Sequence, residues 1–101
     1  MNGASCLKGK VALVLGGSRG IGEAIVRRLA GEGSAVALTY LASPEKAAEA
    51  ARAAGAEGVP ALAIRADSGD PAAVKEAIDQ VLARFGRLDI VVVNAAQASI
   101  P

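Results

Sequence analysis

The sequence predicts a doubly wound α/β fold built on a parallel sheet, and three observations predict it. Short apolar runs alternate with helical periodicity in the order β-α-β-α-β-α-β. The first run, Val11–Leu15, is continuously apolar, as in a strand covered on both faces. Each change from strand to helix is marked by glycines or by a Ser-Pro or Asp-Pro pair. Short connections between alternating strands and helices impose parallel pairing with right-handed crossovers. The order 3-2-1-4 follows if the third crossover runs opposite to the first two. That reversal puts a ligand crevice beyond the carboxyl ends of strands 1 and 4.

Val11-Ala-Leu-Val-Leu15 is the first strand, broken by Gly16-Gly17. The helix that follows carries an apolar stripe of Ile21, Ile25, Val26 and Leu29, leaves Glu23, Arg27 and Arg28 to solvent, and stops at Gly31 and Gly33. Ala35 to Tyr40 is the second strand. Ser43-Pro44-Glu45 opens a second helix: a serine hydroxyl can cap free N–H groups, proline suits the first helical position, and an acid suits the positive helix end. This Ala-rich helix runs to about Gly55. Pro60 to Arg65 forms a third strand, and Asp70-Pro71 starts a helix with Val74, Ile78, Val81, Leu82 and Phe85 on one face, ended by Gly86. Leu88 to Val93 is the fourth strand, leading into Asn94-Ala95-Ala96.

With 101 residues, 52% of them hydrophobic, the chain can build one core, but it is short for a complete doubly wound enzyme. Residues 1–10 read as a loose lead and 97–101 as a truncated end. Eleven basic and ten acidic residues give a net charge of +1 without long blocks of either sign, so neither nucleic acid nor an anionic membrane is implied as a partner. The lone Cys6 excludes an internal disulfide, and the absence of histidine removes any Cys/His metal cluster. Val11–Leu15 is too short to span a bilayer, and residues 1–10 lack the apolar stretch of a secretory signal, so a cytoplasmic location is expected.

Gly16-Gly17-Ser18-Arg19-Gly20-Ile21-Gly22 lies between a strand and a helix, the context that a phosphate-binding loop requires. Gly16 suits the tight turn off the strand, Gly20 a close approach of backbone N–H groups to a pyrophosphate, and Gly22 close packing of helix on sheet. A merely flexible turn is the alternative. No Gly-Lys-Ser/Thr follows, which excludes a P-loop.

This Gly-x-x-x-Gly-x-Gly spacing with Arg19 inside it resembles the short-chain dehydrogenase/reductase family, whose nucleotide domain is of the Rossmann type. The resemblance extends through the strand ending at Tyr40, Asp67-Ser68 after the third strand, and Asn94-Ala95-Ala96 after the fourth. Within the family the sequence looks most like reductases of the 3-oxoacyl-acyl carrier protein reductase type. The resemblance implies a dinucleotide cofactor, a carbonyl or alcohol substrate in a full-length form, and oligomeric full-length relatives.

About twenty residues beyond the loop, an acid would bind the adenosine ribose hydroxyls of NAD. Thr39, Tyr40 and Leu41 stand there instead. None repels a 2′-phosphate, and Arg19 offers it a positive partner, so NADP(H) is expected over NAD(H). Arg19 as a solvated loop charge is the alternative. By the resemblance, Asp67 bonds the adenine amino group with Ser68 beside it, and Asn94 and Ala95 border the ribose and nicotinamide side. Taken alone, Asp67 is as readily a turn former. Cofactor binding is thus assigned to Gly16, Ser18, Arg19, Gly20, Ile21, Gly22, Tyr40, Asp67, Ser68, Asn94 and Ala95. Leu15 replaces the family's usual threonine, and Val93 and Ala96 depart from its usual Asn-Asn-Ala-Gly.

The family's general acid/base is a tyrosine whose pKa is lowered by a lysine four positions later, and a serine polarises the substrate oxygen. Here the sole tyrosine is Tyr40, and four positions later stands Pro44. No catalytic residue is therefore assigned, and the 101 residues are expected to be inactive alone, marginally stable, and left with the fourth strand as an open edge. A non-catalytic nucleotide-binding module and a fragment without function are the alternatives to an oxidoreductase part.

Overall fold

The computed structural model describes residues 6–17 and 20–94. Seven elements follow in order: β1 (Val11–Leu15), α1 (Gly20–Gly31), β2 (Ala35–Tyr40), α2 (Pro44–Gly55), β3 (Ala61–Arg65), α3 (Pro71–Phe85) and β4 (Ile90–Val93). The strands form one parallel sheet in the order β3-β2-β1-β4. This is the Rossmann-type arrangement read from the alternation of elements, with the crossover reversal between β1 and β4.

The alternation of side chains along β1 divides the core. Val11, Leu13 and Leu15 face α3 together with Ala37, Ile64, Ala77 and Val81. Val14 faces the opposite way, with Val26 and Ala30 of α1, Val36 and Leu38 of β2, and Ala47, Ala50 and Ala54 of α2. Every β1 residue is buried, because both sheet faces are covered at the centre. Three alanines at i, i+3 and i+7 let α2 lie close to its neighbours. At β4 the α3 face is no longer covered: Val91 and Val93, in register with Leu13 and Leu15, are exposed, Val93 to 75%. Among the described residues no helix is long and apolar enough to cross a membrane.

Local chemistry moves several expected boundaries. β3 begins at Ala61, one residue after Pro60: proline has no N–H for the ladder, although its carbonyl accepts from Val36 N at 3.1 Å. β4 begins at Ile90 rather than Leu88, because the Asp89 carboxylate turns back to accept from Val11 N at 2.9 Å and from Arg87 Nε at 2.9 Å. Ser43 precedes α2 but makes no side-chain cap, whereas Asp70 accepts from Ala72 N at 3.0 Å and caps α3 as expected. The stripe assigned to α1 is also displaced. Val26 is buried and Ile25 and Leu29 are half-buried, but Ile21 is 74% exposed, since the first turn of α1 overhangs the carboxyl ends of the strands. Leu82 of α3 is likewise exposed, and Ala77 takes its place in the core.

The chain before β1 is tied to the amino end of the sheet. Leu7 N donates to Glu32 O at 2.9 Å, and Gly33 packs against Lys8.

Candidate nucleotide-binding site

The turn leaving β1 is held from both neighbouring strands. From β2, the buried Thr39 hydroxyl accepts from Gly16 N at 2.8 Å, and the Thr39 carbonyl accepts from Gly17 N at 3.1 Å. From the end of β4, Asn94 N donates to Leu15 O at 3.1 Å, and Asn94 Nδ2 donates to Gly16 O at 3.1 Å. The first part of the turn, Gly16 and Gly17, is thereby held by hydrogen bonds from both neighbouring strands.

Two kinds of glycine build it. A Cβ on Gly22 would fall on the Gly16 carbonyl oxygen and lie 2.6 Å from Asn94 Nδ2, so a side chain there is excluded by backbone contact. Gly17 is nearly as confined, with Leu38 Cβ 2.9 Å and Val26 Cγ2 3.0 Å from its Cβ position. Gly20 differs: its φ is +64°, and no atom lies within 4 Å of its Cβ position. It adopts the left-handed conformation that favours glycine and faces open space. The N–H groups of the first turn of α1 have no helical partners and carry the positive end of the helix dipole. A strand, a glycine turn and a helix N-terminus in this arrangement suit an anionic diphosphate. Glu23 in the same turn is paired with Arg27 at 3.0 Å.

The remaining assigned residues lie along the carboxyl ends of the strands. Tyr40 is half-buried at the end of β2, and its carbonyl accepts from Ala66 N at 2.9 Å, which joins the ends of β2 and β3. Asp67 is exposed just beyond β3; its Oδ1 accepts from Gly69 N at 2.8 Å and its carbonyl from Asp70 N at 2.9 Å. One carboxylate oxygen thus shapes the turn. Ser68 is half-buried beside it. The structure brings Gly16, Gly22 and Asn94 into mutual contact and sets Tyr40, Asp67 and Ser68 on the same edge of the sheet. Ser18, Arg19 and Ala95 lie outside the described residues, as does Ala96.

A model of the short chain dehydrogenase family matches residues 10–100. The chain belongs to the short-chain dehydrogenase/reductase family. Similar family members include the 3-oxoacyl-[acyl-carrier-protein] reductase FabG of Staphylococcus aureus, 46% identical over 86 residues that make up 85% of this chain and 35% of that protein. A short-chain dehydrogenase/reductase from Serratia marcescens superposes with a TM-score of 0.87 at 56% identity, covering 90% of this chain and 37% of the other. A short chain dehydrogenase of Burkholderia cenocepacia in complex with NADP gives 0.82 at 54% identity, covering 84% and 35%. The chain spans about a third of the length of the curated relatives it matches.

Two contributors to this candidate site are not singled out by the sequence of this short-chain dehydrogenase/reductase. The sequence marks Thr39 only by its lack of negative charge, yet it is the buried anchor of the turn; a small hydroxyl directly after the apolar Ala35–Leu38 run is its signal. Gly17 has no individual role in the motif; the Gly-Gly doublet is its signal, one glycine turning the chain and the next fitting under Leu38.

Proposed function

We propose that these residues are the dinucleotide-binding part of an NADP(H)-dependent oxidoreductase that transfers hydride between the cofactor and a carbonyl or alcohol substrate. The observation that carries this reading is the locked glycine turn, in which Asn94 and Thr39 hold Gly16 and Gly17, Gly22 packs against them, and Gly20 faces open space. A diphosphate needs convergent N–H donors and no side chain in the way, and this cradle offers both. The Burkholderia cenocepacia relative in complex with NADP supports the cofactor, as does the absence of an acid at Thr39, Tyr40 and Leu41.

In this reading the turn and the first N–H groups of α1 bind the pyrophosphate, and Arg19 faces the 2′-phosphate. Tyr40, Asp67 and Ser68 bind the adenosine, and Asn94 with Ala95 borders the ribose and nicotinamide side. When bound, the cofactor supplies the hydride donor or acceptor. These residues orient it; they do not move the substrate proton, because Tyr40 has Pro44 rather than lysine four positions on. Hydride transfer then depends on a tyrosine, a lysine and a serine that are not among these residues. The proposal includes a single nucleotide domain, a cytoplasmic location, and an oligomeric full-length form.

A thermal-shift titration with NADPH and NADH tests it, since a ligand that binds only the folded state stabilises it by RT ln(1 + [L]/Kd). Preferential stabilisation by NADPH is expected. No shift with either nucleotide would overturn the reading.

A further inference from the structure

Arg65 is the last residue of β3 and is in register with Tyr40, the last residue of β2. Neighbouring strands lie about 4.8 Å apart, so the two side chains leave the sheet side by side. Ala61 and Ala63 pack against the core on the α1/α2 face, as does Tyr40. Alternation along the strand therefore puts Arg65 on that same face, the side on which α1 begins. Arg65 is exposed and takes part in none of the ion pairs among the described residues. The other arginines there are placed differently. Arg27, Arg28 and Arg87 are paired with Glu23, Glu32 and Asp89, and Arg84 lies over the Phe85 ring. Arg52 belongs to the last turn of α2.

We infer that Arg65 is a specificity-determining residue of the nucleotide site, its guanidinium recognising a phosphate on the adenosine ribose 2′-oxygen. The inference rests on the proposed nucleotide reading, which puts the pyrophosphate at the start of α1 and the adenosine ribose at the end of β2. Arg65 stands one strand beyond that point, on the face where α1 begins, and forms no salt bridge among the described residues. A guanidinium presents a planar fork that matches phosphate oxygens, whereas the neighbouring Tyr40 offers one hydroxyl. Charge selection at the second strand would then come from its neighbour in the sheet as well as from Arg19 in the loop.

The test compares binding of adenosine 2′,5′-bisphosphate and AMP by the full chain and by its Arg65→Gln and Arg65→Lys forms. Circular dichroism verifies that each variant is folded, which an exposed position favours. The wild type is expected to prefer the bisphosphate. Arg65→Gln should lower that preference about tenfold or more, the scale of one charge-assisted hydrogen bond, with AMP affinity unchanged, and Arg65→Lys should restore part of it. A wild-type preference retained in Arg65→Gln overturns the role of Arg65 and leaves the nucleotide site standing. A wild type that binds neither nucleotide overturns the nucleotide reading, and this inference with it.

Discussion

Thr39 holds the turn that leaves β1: its Oγ1 accepts from Gly16 N at 2.8 Å while its carbonyl accepts from Gly17 N at 3.1 Å. The side chain is buried, so water does not readily replace it. Thr39→Val keeps the shape and removes the acceptor, leaving the Gly16 N–H unmatched. We expect a loss of about 1–3 kcal/mol in denaturant unfolding, with weaker nucleotide binding, and near-wild-type behaviour for Thr39→Ser. Unchanged stability in Thr39→Val would show that the hydroxyl does not hold the turn.

Gly20 and Gly22 separate affinity from stability. Gly22→Ala drives a methyl into the Gly16 carbonyl and Asn94 Nδ2, so the turn must open, and both folding stability and nucleotide binding should fall sharply. Gly20→Ala meets no atom within 4 Å and bears only the left-handed backbone cost, about 1–2 kcal/mol. In the proposed site its methyl would stand where the diphosphate approaches. Nucleotide affinity should therefore fall more than the melting temperature indicates, a comparison that calorimetric titration and thermal unfolding make directly.

The two proline-led helices should respond differently to loss of the preceding side chain. Asp70 accepts from Ala72 N at 3.0 Å, so Asp70→Ala should cost about 1 kcal/mol. Ser43 makes no side-chain cap, and Ser43→Ala should stay within about 0.5 kcal/mol of wild type. Chemical denaturation of both variants distinguishes a cap seen in sequence from one formed in space.

Asp89 ties the start of β1 to the approach to β4. The Arg87 guanidinium hydrogen-bonded to it, together with the Val11 N–H, holds its carboxyl below the ordinary carboxylate range. A lowered folded-state pKa means that the stabilisation is fully present above the unfolded value, about 3.9, and is lost as pH falls through the lower folded value. The stability difference between wild type and Asp89→Asn should accordingly be constant from neutral to mildly acidic pH and shrink only in stronger acid. Unfolding midpoints across that range measure it; a difference that disappears near neutrality would contradict the assignment.

Much of this architecture was legible in the order of residues. Periodicity and punctuation alone determined seven elements, the bounds of β1, β2 and α2, the Asp70 cap, and a glycine turn between strand and helix, because each depends on neighbours within a few positions. Strand order was legible only conditionally, through the handedness of crossovers. What the tertiary structure decided depends on residues far apart in sequence. Whether Ile21 is core or rim turns on how far α1 overhangs the sheet, whether Thr39 is a filler or an anchor turns on the turn from β1 reaching it, and whether Arg65 stands beside Tyr40 turns on the register of β2 with β3. Packing and hydrogen bonds across strands fix these relationships, and no local propensity encodes them.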